Sequence, residues 1–189
     1  MGASVMTERI TGASPRLKAR IAGVFYLLAV LAAVFGEVFL RSRLAVAAGL
    51  VAVLCFVAVT LVLYDIFKPV NGLLSLFAAS FNLVGMTLEA LRLNPQGVDI
   101  ALVFHGFYCL LIGYLIFRST FLPRILGVLT AFAGLAWMTF LLPPLANYLS
   151  PYNVASGFLG EGSPMLWLLV MGVHLERWPE RASAAGLRT

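Results

Sequence analysis

The 189-residue sequence predicts an all-α fold, a polytopic membrane helix bundle of about six transmembrane helices with both termini cytoplasmic. Three observations lead there. The chain is 61% hydrophobic and 11% charged, with a mean hydropathy of +0.98, whereas soluble domains are about half apolar and a quarter charged. Its apolar residues gather into runs of about 20, the length that crosses a hydrocarbon core about 30 Å thick. The basic residues then divide unequally between the two sides that those runs define.

Taken in order, residues 1–15, "MGASVMTERITGASP", are small and polar without apolar periodicity and read as a flexible cytoplasmic tail. Residues 16–177 form the transmembrane domain, with spans near 20–40, 44–67, 71–92, 98–117, 122–142 and 158–175. The first run is too long for a signal-peptide core and a second run follows it, so it reads as a retained span. Between the second and third spans "FKPVNG" supplies Pro69 and Asn71, and between the fourth and fifth "FRSTFLPR" supplies Ser119 and Pro123. These residues stop one helix and start the next, giving tight cytoplasmic hairpins. The longest non-spanning stretch is 142–164, whose prolines forbid one continuous helix and whose Tyr148, Tyr152 and Phe158 suit a polar–apolar boundary. Residues 178–189 are a second flexible cytoplasmic tail.

With the amino terminus inside, Arg9, Arg16, Lys18, Arg20, Lys68, Arg118, Arg124, Arg177, Arg181 and Arg188 are cytoplasmic, and only Arg41, Arg43 and Arg92 are external. That bias orients a multi-pass protein of the cell inner membrane. The net charge of +5 is scattered in short flanks rather than drawn into a stripe, which argues against nucleic acid. The expected partner is the lipid bilayer, with a membrane-protein partner or a homo-oligomer left open. Cys55 and Cys109 fall inside spans, so no disulfide framework is expected and both read as packing residues.

Ionisable residues inside the spans are the functional candidates, because a charged side chain at the helix centre costs about 2.5 to 3.5 kcal/mol. Glu37 and Glu89 lie near the outer ends of spans one and three, His105 about 10 Å into span four, and Glu161 at the opening of span six. They share one depth zone. Ser75, Asn82 and Glu89, at steps of seven, form a polar stripe expected to point inward, and Tyr108 and Cys109 share a helix side with His105. The expected binding set is Glu37, Arg41, Asn82, Glu89, His105, Tyr108 and Glu161, lining an outward-facing pocket. A divalent metal ion, as the candidate cofactor, would use Glu37, His105 and Glu161. The competing reading makes Glu37 with Arg41, and Glu89 with Arg92, local ion pairs at the water boundary. Asp65 and His174 read as solvated boundary residues, and Trp137, Trp167 and Trp178 as packing or interfacial anchors.

Three functions fit these residues. The first is a binding or transport-like role for a cation, proton or polar head group. The second is an integral-membrane hydrolase or lipid-modifying enzyme using His105 and a carboxylate, though no H-E-x-x-H or G-x-S-x-G motif specifies such chemistry. The third is a structural or regulatory subunit of a membrane complex.

The blocks "ARIAGVFYLLAVLAAVFGEVFLR", "LYDIFKPVNGLLSLFAASFNLVG", "FHGFYCLLIGYLIFRSTFLPRILGVLTAFAGLAW" and "GEGSPMLWLLVMGV" resemble the bacterial membrane family catalogued as domain of unknown function 4386. The resemblance covers most of 19–173, and its most specific part is the R-S-x-F-L-P-R-I-L-G turn. It implies a polytopic helical membrane protein whose recurrent polar positions fall on Glu37, Arg41, Asn71, His105 and Glu161. It implies no activity. Members of the family carry a longer segment between the first two spans, where this chain has "RSRL", so the chain resembles a trimmed version.

Overall fold

The computed structural model describes residues 15–39, 43–92 and 98–173, with side chains throughout except at 37–39. Among these residues seven α-helices follow one another: α1 Pro15–Phe39, α2 Arg43–Phe67, α3 Gly72–Ala90, α4 Ile100–Arg118, α5 Arg124–Met138, α6 Pro143–Leu149 and α7 Tyr152–Val170. A 3-10 turn, Thr139–Leu141, extends α5, and no strand occurs among the described residues. Among the described residues five helical stretches are long and apolar enough to cross a membrane: Pro15–Gly36, Arg43–Phe67, Gly72–Ala90, Ile100–Arg118 and Arg124–Leu141. Their outward faces carry exposed Leu54, Leu73, Leu129 and Phe132, which would be costly in water and are at home against lipid.

The helix ends follow from local chemistry. Asn71 caps α3, its Oδ1 accepting from Leu74 N–H at 3.0 Å, and Asp99 caps α4 by accepting from Leu102 N–H at 3.2 Å. Ser119 ends α4 in extended conformation, with its hydroxyl donating to the Ile116 carbonyl at 2.7 Å. Arg124 then lies over the Phe117 ring, 5.8 Å from its centroid, across the turn.

The last long helix departs from the sequence expectation. It starts at Tyr152 rather than near 158, and Pro164 lies inside it. Much of 142–164 is therefore helical, with the chain broken only around Ser150 and Pro151. A proline within a helix orphans the carbonyl four residues earlier. Here that carbonyl, of Gly160, accepts the Ser163 hydroxyl at 2.9 Å, so the helix continues. Its Gly157, Gly160, Glu161, Gly162 and Ser163 dilute the apolar character, and α7 is not among the five stretches above.

Six helices close into a ring: α1 on α2, α2 on α3, α3 on α4, α4 on α5, α5 on α7, and α7 back onto α1. One end of the ring is filled. Leu63, Ile66, Phe67, Leu115, Ile116 and Phe121 are all buried there, with Phe67 and Phe121 stacked at 5.8 Å. The same end is tied by Lys18 Nζ donating to Asp65 at 2.5 Å; Asp65 is exposed at the helix end, as read from sequence, and also pairs with α1. The other end is hollow.

Candidate functional site

Between the packed and hollow halves, one polar side chain from each of the six ring helices joins a single hydrogen-bonded chain. Thr60 on α2 donates its hydroxyl to the Phe56 carbonyl at 2.8 Å. Its oxygen accepts Asn82 Nδ2–H from α3 at 2.5 Å. Asn82 Oδ1 meets His105 Nδ1 on α4 at 2.8 Å, and His105 Nε2 lies 3.0 and 3.1 Å from the two oxygens of Glu161 on α7. The same carboxylate accepts from Tyr26 O–H on α1, at Oε2, and from Trp137 Nε1–H on α5, at Oε1. All six side chains are buried: Asn82 is 0% exposed, Thr60 1%, and Tyr26, His105 and Trp137 each 5%. Glu161, the one buried carboxylate among the described residues, is 7% exposed.

Hydrogen-bond accounting then fixes the imidazole. A carbonyl can only accept, so Thr60 donates to Phe56 and must itself accept from Asn82. That turns the Asn82 amide oxygen toward His105, and Nδ1 must carry a hydrogen. The second nitrogen, Nε2, is left facing the Glu161 carboxylate. Two acceptors at 3.0 Å are compatible only if a positive species stands between them.

Close helix approaches bring these groups together. A Cβ built on Gly23 would stand 2.6 Å from the Leu169 backbone, so α1 meets α7 one turn from Tyr26. One on Gly157 would enter the Trp137 ring at 2.4 Å, so α7 presses α5 one turn from Glu161. Aromatic rings wall the imidazole: Phe56 stands edge-on at 5.6 Å, Tyr108 tilted at 5.5 Å and Trp137 edge-on at 6.4 Å. Cys109 lies one turn below His105, 1% exposed.

A cavity of about 430 Å³ fills the hollow half and ends on His105 and Glu161. Its wall is mostly apolar, with small residues at Ala33, Gly36, Ala45, Gly49 and Ala52, and with Glu89 and Asp99 toward the α3–α4 connection. Of the residues expected from sequence, His105, Asn82, Glu161 and Tyr108 come together at the cavity base. Glu161 sits at the middle of α7 rather than at the opening of a span, because that helix starts earlier. Ser75 and Asn82 are buried, while Glu89, the third member of their stripe, is exposed and lines the cavity. The side chain of Glu37 and the whole of Arg41 lie outside the described residues, as do His174 and Trp178.

Sequence reasoning passed over Tyr26, Thr60 and Trp137. Trp137, expected as a packing or interfacial anchor, is instead a hydrogen-bond donor to the buried acid. The signal that could have found it is stoichiometric: a carboxylate inside an apolar bundle needs donors, and the indole and phenol groups of neighbouring spans can supply them.

A profile for the family described as domain of unknown function (DUF4386) matches residues 86–172. An uncharacterized protein of Archaeoglobus fulgidus is 30% identical over 130 residues, covering 63% of this chain and 78% of that relative. No solved structure matches the chain.

Proposed function

The chain belongs to the family described as domain of unknown function (DUF4386), and we propose that it is a six-span protein of the cell inner membrane that binds a cation between His105 and Glu161. Both termini are cytoplasmic, α7 is the sixth span, and the hollow half of the ring faces outside. The role is binding or transport-like. A cation entering from the outer face passes Glu89, descends the apolar wall and meets the imidazole and carboxylate at the base. A proton is the smallest occupant.

One observation carries this reading. With Nδ1–H committed to Asn82, Nε2 and the Glu161 carboxylate face each other and call for positive charge between them. Trp137 and Tyr26 each donate to one oxygen of the carboxylate, so the geometry persists when the occupant leaves.

A hydrophobic carbodiimide, which attacks carboxyl groups reachable through apolar cavities, tests it. Peptide mass mapping of purified protein stripped of metal by a chelator should find the adduct on Glu161, and Gly49→Trp should suppress it, because a Cβ at Gly49 meets nothing within 4 Å and the larger side chain can fill the cavity. An unmodified Glu161 in the wild type, or modification indifferent to the plug, contradicts the reading.

A further inference from the structure

We propose that the occupant is a zinc-type divalent metal ion and that Cys109 is its third protein ligand; this rests on the cation-site reading above. His105 and Cys109 are four residues apart on α4 and share one face, and Glu161 meets them from α7. One ligand atom from each lies within 4.8 Å of the other two, and all three residues are buried. Tetrahedral ligands about 2.0 to 2.3 Å from one zinc ion stand roughly 3.3 to 3.6 Å apart. Side-chain adjustments of about an ångström therefore close the site.

The surroundings are those of a metal centre. A ligating imidazole usually donates its other N–H to a fixed oxygen, and a ligating carboxylate is itself hydrogen-bonded. Here His105 Nδ1–H donates to Asn82 Oδ1, which Thr60 orients, while Tyr26 and Trp137 donate to Glu161. A thiolate with an imidazole selects zinc-like ions over magnesium or calcium, which prefer oxygen ligands. Three protein ligands leave a fourth position, and the cavity that ends on His105 and Glu161 can supply water or a ligand to it.

Charge also balances. Without metal, His105 and Glu161 with one proton between them and a neutral thiol sum to zero. Binding forms bonds from the metal to His105 Nε2, Cys109 Sγ and a Glu161 oxygen, and releases two protons, the one between His105 and Glu161 and the one on the thiol. A dication with a neutral imidazole, a carboxylate and a thiolate again sums to zero, so no net charge is left in an apolar interior where it would be costly.

The test uses the full chain, purified in detergent without chelators. Metal analysis should find zinc retained in the wild type and lost in His105→Ala. Cobalt substitution should give a near-ultraviolet thiolate-to-cobalt band that disappears in Cys109→Ser, a near-isosteric variant whose size-exclusion profile should match the wild type. Asn82→Ala, which frees the imidazole, should weaken zinc binding by about 10- to 100-fold. Wild-type protein that binds neither zinc nor cobalt, or a cobalt band that survives Cys109→Ser, overturns the metal assignment. Cavity-dependent carbodiimide labelling of Glu161 would still hold in either case, leaving the cation site with a proton as its occupant.

Discussion

Glu161 takes hydrogen bonds from α1, α4 and α5 at once, so its two oxygens are where three helix positions are decided together. Removing one donor from a buried acceptor costs about 1 to 3 kcal/mol. Trp137→Phe keeps the ring against Phe140 and Phe158 but deletes the N–H. It should lower stability by about that amount, read as a fall in the thermal unfolding midpoint in detergent; an unchanged midpoint would mean that Glu161 does not depend on the indole. At this scale His105, Asn82 and Glu161 are legible in the sequence, because an imidazole, an amide and a carboxylate stand out in apolar runs. Tyr26, Thr60 and Trp137 are not, since each is an ordinary residue of a membrane helix and shows its role only through the partner it meets.

Helices reach these distances by shedding side chains where they cross. Gly106 and Gly113 on α4 lie against Gly134 and Gly127 on α5, where added Cβ atoms would stand 2.5 to 2.9 Å from facing backbone oxygens. The Gly127 and Gly134 pair thus packs within the chain, against α4. At Gly157 an added methyl would overlap the Trp137 ring, and overpacking of this kind costs about 1 to 3 kcal/mol. Gly157→Ala should therefore destabilise the protein, whereas Gly49→Ala, entering open space, should be neutral or gain up to about 1 kcal/mol of helix propensity. Comparing the two melting curves checks the α5–α7 crossing against a general sensitivity to added methyl groups. The first five spans are legible from apolar run length alone. The start of α7 is not, because Gly, Ser and Pro normally announce a loop, and only the Ser163 hydroxyl on the Gly160 carbonyl explains how the helix passes Pro164.

Over the whole molecule the ring is filled at the α2–α3 and α4–α5 turns and hollow at the opposite end, and the buried polar chain lies between. Composition makes the helical class and the lipid-facing exterior legible. It does not reveal which half is empty, since small residues such as Ala45, Gly49 and Ala52 look alike whether they pack or line a space. The cation-site reading requires the hollow half to face outward. Alkaline phosphatase fused after Arg92, at the end of α3, should then be active, and a fluorescent protein fused after Thr189 should fold and emit in the cytoplasm. The reverse pattern would put the cavity on the inner face. The most direct measurement of the central claim is a double-mutant cycle on His105→Asn and Glu161→Gln, followed by thermal unfolding of the purified protein. Removing one member of a buried, hydrogen-bonded pair costs about 3 to 5 kcal/mol, so each single change should be severe and the double change should cost clearly less than their sum. Strictly additive losses would contradict a shared occupant between the imidazole and the carboxylate.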